Sequence, residues 1–156
     1  MTEDGKESSE LDRIVQNIMS VLESEDSKVY SEDVIAEFKD PTNVGSVADA
    51  DGVGIADGLC NDTMEITLKL DGDRIARCMF FTDGCGATIA CGSRLTKIAT
   101  GKTLEEALAI EPEYLAGLLG GLPDDHTHCT SLAVIALRNA LRDCMRRRKA
   151  KEGGEQ

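Results

Sequence analysis

The stretch Thr63-Met64-Glu65-Ile66-Thr67-Leu68-Lys69-Leu70-Asp71-Gly72-Asp73-Arg74 decides the fold. Met64, Ile66, Leu68 and Leu70 alternate with Thr63, Glu65, Thr67 and Lys69, the period of a strand buried on one face. Asp71-Gly72-Asp73 is a turn signal, so residues 74–82 read as the returning strand of a hairpin. Downstream, Asp83-Gly84-Cys85-Gly86 ends that strand and opens a helix that closes near Gly101. Thr103 with Glu106 predicts a capping box for another helix, ended by Pro112. A short helix follows and stops at Gly120-Gly121. The loop 122–128 then leads into a long helix whose apolar face runs through Ala133, Ala136, Leu137, Ala140, Leu141 and Cys144.

Upstream of the hairpin, residues 45–58 are rich in Gly, Asp and Ala and read as an extended or mobile approach to Cys60. A short helix is predicted over residues 31–38, stopped before Pro41. Leu11, Ile14, Val15, Ile18 and Leu22 fall at helical spacing, an amphipathic helix, and residues 23–28 form a polar linker. This gives an extension over residues 1–28, a domain over 29–150 and a disordered tail over 151–156. Helix, strands, then helices predict an α+β domain, a small antiparallel sheet packed against several helices.

With 156 residues, 41% hydrophobic and 29% charged, the chain has the size and composition of one globular domain. A net charge of −12 argues against nucleic-acid binding, because phosphate would be repelled. Residues 1–40 carry twelve acids against four bases, whereas Arg142, Arg146, Arg147, Arg148, Lys149 and Lys151 reverse the sign. Those cations suit a helix C-terminus; a docking surface for an acidic partner is the other reading. The acidic start is unlike a secretory signal, and no apolar run reaches membrane-spanning length. A cytoplasmic location is expected, with the six cysteines as thiols or metal ligands.

Three cysteines sit in polar or glycine-rich breaks: Cys60 in Gly-Leu-Cys-Asn-Asp, Cys85 in Asp-Gly-Cys-Gly and Cys129 in His-Thr-His-Cys. Asp62 and His128 stand beside two of them as further donors, and His126 lies in the same loop as His128. Three thiolates with a carboxylate and an imidazole point to a thiophilic metal or iron–sulfur site. At the start of a helix, Cys85 and Cys129 gain thiolate character from unpaired amides. Separations of 25 and 44 positions, from residues 60 to 85 to 129, mean that three loops must be brought together by the fold. Cys78, Cys91 and Cys144 fall within elements and read as packed thiols.

These residues resemble the IscU/NifU N-terminal-domain family of iron–sulfur cluster assembly scaffolds. The resemblance runs through Tyr30-Ser31-Glu32-Asp33-Val34-Ile35, Pro41-Thr42-Asn43-Val44-Gly45 and Cys60-Asn61-Asp62. It continues in Gly84-Cys85-Gly86-Ala87-Thr88-Ile89-Ala90, residues 101–107, Leu122-Pro123 and His128-Cys129-Thr130-Ser131-Leu132-Ala133. It implies the family's α+β fold (SufE/NifU-type) with an added N-terminal helix, and a non-enzymatic scaffold that receives iron and desulfurase-derived sulfur. On it a labile [2Fe–2S] cluster is built and passed to apoproteins. Cys60, Cys85 and Cys129 would be cluster ligands, Asp62 would tune lability or bind the first metal, and His128 would support or share ligation. Cys129 would be the persulfide acceptor, and Tyr30 matches a tyrosine linked to assembly.

Implied partners are a cysteine desulfurase, recipient apo iron–sulfur proteins and an electron donor or frataxin-like protein, with no nucleic acid or membrane. A homodimer is one use for the N-terminal apolar stripe; packing on its own domain is the favoured one. The family's Leu-Pro-Pro-Val-Lys chaperone stretch is replaced by Leu122-Pro123-Asp124-Asp125-His126, so the resemblance does not carry over an Hsp70-type partner. The alternative function is a zinc-binding sulfur acceptor that activates a desulfurase.

Overall fold

The computed structural model describes residue 14 and residues 30–58, 62–122 and 127–154. The polar linker, Cys60, His126, Pro123 and, apart from Ile14, the amphipathic N-terminal helix lie outside these. Ile14 is helical, as the spacing predicts, and exposed.

Ser31 caps the first helix, α1 (Glu32–Lys39): its hydroxyl accepts from the Val34 amide at 3.2 Å and donates to the Leu119 carbonyl. Three antiparallel strands follow in the order β1 (Gly52–Asp57), β2 (Thr63–Asp71) and β3 (Arg74–Thr82), with β2 central. The alternation seen in the sequence has its physical counterpart here. Met64, Ile66 and Leu68 are fully buried, and Ile75, Cys78 and Phe80 of β3 join them on the same face. Gly72, at φ +64°, turns the hairpin.

Strand β1 settles residues 52–57 as extended rather than mobile, and pairs them with β2. Its inward positions are Gly52, Gly54 and Ala56, so no apolar alternation marks it. The reason lies in the last helix. A Cβ on Gly52 would lie 3.1 Å from the Cys144 amide nitrogen, and one on Gly54 would lie 2.9 Å from Ala140 Cα and closer still to Ala136 O. Glycine is needed there because strand and helix touch backbone to backbone.

Helices cover the buried face. Helix α2 (Gly86–Ala99) starts at the Cys85 N-cap and packs on β3, where Gly92 leaves no space for a Cβ against the Phe80 ring. The Thr103/Glu106 capping box is present and opens α3 (Leu104–Leu108). Helix α4 (Pro112–Leu118) follows and ends in two left-handed glycines, Gly120 and Gly121. Helix α5 (His128–Gly154) lies across β1 and β2. It runs past the boundary expected at residue 150, so the tail read as disordered is helical as far as Gly154.

Two polar clamps fix the helices. Glu37 of α1, only 6% exposed, accepts from Ser93 (2.5 Å) and Lys97 (2.6 Å) of α2 and pairs with Arg94 at 3.7 Å. Burial alone would raise its pKa, but these bonds and cations hold it below the ordinary carboxylate value. Asp143 of α5 accepts from the Val53 amide of β1 at 2.9 Å and pairs with Arg146 and Arg147. Arg148 donates to the Gly72 carbonyl and pairs with Asp73 at 3.0 Å, and Arg147 donates to Ala50 O at 3.1 Å. The basic helix end thus grips the hairpin turn.

Candidate functional site

The open end of the hairpin gathers the candidate ligands. Asp62 immediately precedes β2, Cys85 caps α2, and His128 and Cys129 begin α5. Local bonds draw these termini together. The Gly58 amide donates to Asp62 O at 2.7 Å, closing the β1–β2 loop in which Cys60 lies outside the described residues. The Thr63 amide donates to Asp83 Oδ1 at 2.8 Å, and Thr82 Oγ1 donates to Thr63 O at 2.6 Å.

Asp62, Cys85 and Cys129 converge on one residue that sequence reasoning passed over, Thr88. Its hydroxyl donates to Asp62 Oδ2 at 3.1 Å and lies 3.4 Å from Cys129 Sγ and 3.6 Å from Cys85 Sγ. Thr88 and Cys129 are fully buried, Asp62 is 7% exposed, and Cys85 faces solvent. The only signal for Thr88 is its place three residues after Cys85, on the first turn of the helix. His128 Nε2 stands 3.8 Å from Cys129 Sγ, beside the cluster. Among the described residues, no three of His, Cys, Asp and Glu are arranged to hold a metal.

Among the described residues, Asp62 Oδ1 is buried without a hydrogen-bond partner. A buried carboxylate oxygen in that state carries an unrecovered desolvation cost. It marks the carboxylate as kept for something other than stability.

The two sulfurs have opposite chemistry. Cys85 titrates far below an ordinary thiol, at about 4, first because the Cys129 thiol hydrogen-bonds to it. Burial opposes the shift, and the Thr88 hydroxyl and the Thr88 and Ala87 amides at the helix start add to it. Cys129 moves the other way: the bond to Cys85 keeps its proton, and burial and the Cys85 charge reinforce this. One proton is shared between two thiols, leaving an exposed thiolate beside a buried thiol.

The remaining cysteines are packed as expected. Burial pushes Cys91 up to about 12, with a contribution from the nearby Cys85, and Cys144 to about 11. Cys78 is also buried and raised. A cavity of about 500 Å³ lies at the other end of the sheet, between Gly72 and the cations Arg147, Arg148 and Lys151. It includes none of the convergent residues.

An α+β domain with a carboxylate, a thiolate and a thiol gathered at three element termini defines a class. Residues 29–151 match the family model described as NifU-like N terminal domain, and the chain belongs to that family. It is similar to the iron–sulfur cluster assembly scaffold protein IscU 1 of Archaeoglobus fulgidus, with 46% identity over 120 residues, covering 76% of this chain and 78% of that one. The IscU scaffold protein of Aquifex aeolicus is 39% identical over 117 residues, covering 73% and 74%. A crystal structure of the N-terminal part of a nitrogen-fixing NifU-like protein from Brucella abortus superposes with a TM-score of 0.65, covering 76% of this chain and 95% of that one. At 17% identity that likeness concerns the fold alone.

Proposed function

We propose that this protein is an iron–sulfur cluster assembly scaffold, binding a transient cluster as cargo between a cysteine desulfurase and recipient apoproteins. The convergence of Asp62, Cys85 and Cys129 on one buried point carries the reading. Cys60, five residues or fewer from both β1 and β2, completes the donor set, and His128 supports Cys129. The cargo is a [2Fe–2S] cluster, the protein works in the cytoplasm without catalysing a reaction of its own, and residues 1–28 are an extension of the scaffold domain.

Sulfur enters by attack of a thiolate on the outer sulfur of a desulfurase persulfide. The persulfide S–S bond breaks, the desulfurase thiolate leaves, and the scaffold carries the new persulfide. An electron-donor protein supplies the two electrons that reduce each such sulfur to sulfide. In the resting geometry the exposed Cys85 thiolate is the nucleophile. Cys129 takes that role only after its proton passes to Cys85 and the site opens.

The test is anaerobic incubation of apo-protein with ferrous iron, cysteine and a desulfurase, followed by titration with an apo-ferredoxin. Visible absorption of a [2Fe–2S] cluster should appear and then move to the ferredoxin. A protein that keeps tight zinc and never forms a transferable cluster refutes the scaffold and favours the zinc-dependent activator. Mass spectrometry before iron addition should find the first persulfide on Cys85.

A further inference from the structure

Buried threonines on helices ordinarily return their hydroxyl to the backbone one turn back. Thr96 does so, donating to Gly92 O at 2.9 Å and Ser93 O at 3.0 Å, and Thr130 donates to Thr127 O at 2.8 Å. Thr88 does not. Its hydroxyl reaches instead to Asp62, 26 residues away, and Cys129, 41 residues away.

Two glycines make room for this arrangement. A Cβ on Gly84 would lie 2.8 Å from Thr88 Cβ and 2.9 Å from its Oγ1. A Cβ on Gly58 would lie 3.0 Å from Asp62 Cγ and closer still to its orphaned Oδ1. The loops on both sides are therefore shaped around the Thr88–Asp62 pair. Meanwhile the single hydroxyl proton serves one acceptor at a time, although three lie within reach. Asp62 Oδ2 is the nearest, and among the described residues this is the one side-chain bond that holds the carboxylate among the sulfurs.

We propose that Thr88 is a positioning residue whose hydroxyl holds the Asp62 carboxylate against Cys85 and Cys129, presenting them together to incoming metal. The inference rests on the reading of Asp62 and the cysteines as the cargo site. Without the hydroxyl, both carboxylate oxygens would be buried without partners among the described residues, and Asp62 would leave the cluster for water.

The experiment measures Co(II) affinity of the anaerobic apo-protein from thiolate-to-cobalt absorption, for wild type, Thr88→Val, Thr88→Ser, Asp62→Ala and the double variant Thr88→Val/Asp62→Ala. Valine keeps the buried volume, and thermal unfolding checks each fold; if Thr88→Val does not fold, Thr88→Ala replaces it. Thr88→Val should weaken Co(II) about 10- to 100-fold, the usual effect of losing a group that orients a metal ligand. Thr88→Ser should bind as wild type, and the double variant should bind as Asp62→Ala does, because both changes remove one function.

Wild-type affinity in Thr88→Val, failure of serine to rescue, or additive losses in the double variant would each overturn the proposal while leaving Asp62 a ligand. A wild type that binds no Co(II), or an Asp62→Ala variant with unchanged affinity, would overturn the site reading and the proposal with it.

Discussion

The shared proton of Cys85 and Cys129 gives a sharp pH signature. With a pKa of about 4, Cys85 is almost fully thiolate at pH 6, whereas an ordinary thiol at about 8.5 is roughly 0.3% ionised. That is an advantage of about 300-fold in reactive species. Acidity also weakens a nucleophile: with a Brønsted slope of about 0.4–0.5, a thiolate some 4.5 units more acidic reacts about 100-fold more slowly. The two effects are of similar size near pH 6, so the slope of reactivity with pH, and not its absolute size, carries the signature. The assay is modification of the apo-protein by a neutral disulfide reagent from pH 5 to 9, read at the Cys85 peptide by mass spectrometry against a small-molecule thiol. Cys85 should be nearly flat while the reference climbs about tenfold per unit up to about pH 8. Cys129→Ala removes the main cause of the shift and should restore a slope. A tenfold rise per unit at Cys85 in the wild type between pH 6 and 8 refutes the shared proton.

Three further predictions concern the frame and the cargo. Gly54→Ala drives a Cβ into the backbone of α5, so it should cost about 3 kcal/mol, the upper end for overpacking. With a urea slope of about 2 kcal/mol per M that lowers the midpoint by about 1.5 M, and a shift under 0.5 M would contradict the backbone contact. Glu37→Gln should cost about 1.5–3 kcal/mol at neutral pH, the range for hydrogen bonds to a charged group. Because the folded-state pKa of Glu37 is lowered, its contribution is whole above the ordinary value of 4.5 and is lost as pH falls through the folded value. Wild type and Glu37→Gln should therefore converge in stability on acidification below 4.5, and a gap that widens there would reject the clamp. Asp62→Ala should give a cluster that survives longer and reaches ferredoxin more slowly; unchanged transfer kinetics would remove the carboxylate from the release step.

Local signals were legible and distant ones were not. The β2–β3 hairpin, the Ser31 cap helix, the Thr103 box and the Gly120-Gly121 stop are each written within a few residues, so the chain states them directly. Strand β1 is legible only as extended or mobile chain, because its buried face is Gly52, Gly54 and Ala56. Their meaning is given by Ala136 and Ala140, more than eighty positions away. The site shows the same divide. Asp62, Cys85 and Cys129 stood out as donors in polar breaks, and the fold brings those three together. Thr88 looked like an ordinary helix residue, since nothing near it in the chain announces a carboxylate 26 positions earlier. The proton shared by Cys85 and Cys129 depends on their meeting in space, which spacing cannot express.

The glycine seam between β1 and α5 also has a consequence in time. Among the described residues, strand β1 touches only β2 and α5 to any extent, and the helix that covers its inner face is residues 128–154. Cys129 arrives on that same helix. During synthesis, Cys60, Asp62 and Cys85 emerge first and wait for Cys129. The step that seals the sheet is the one that delivers Cys129, so the set of sulfurs is whole only when the sheet is covered. Readiness for cargo is thereby tied to completion of the fold.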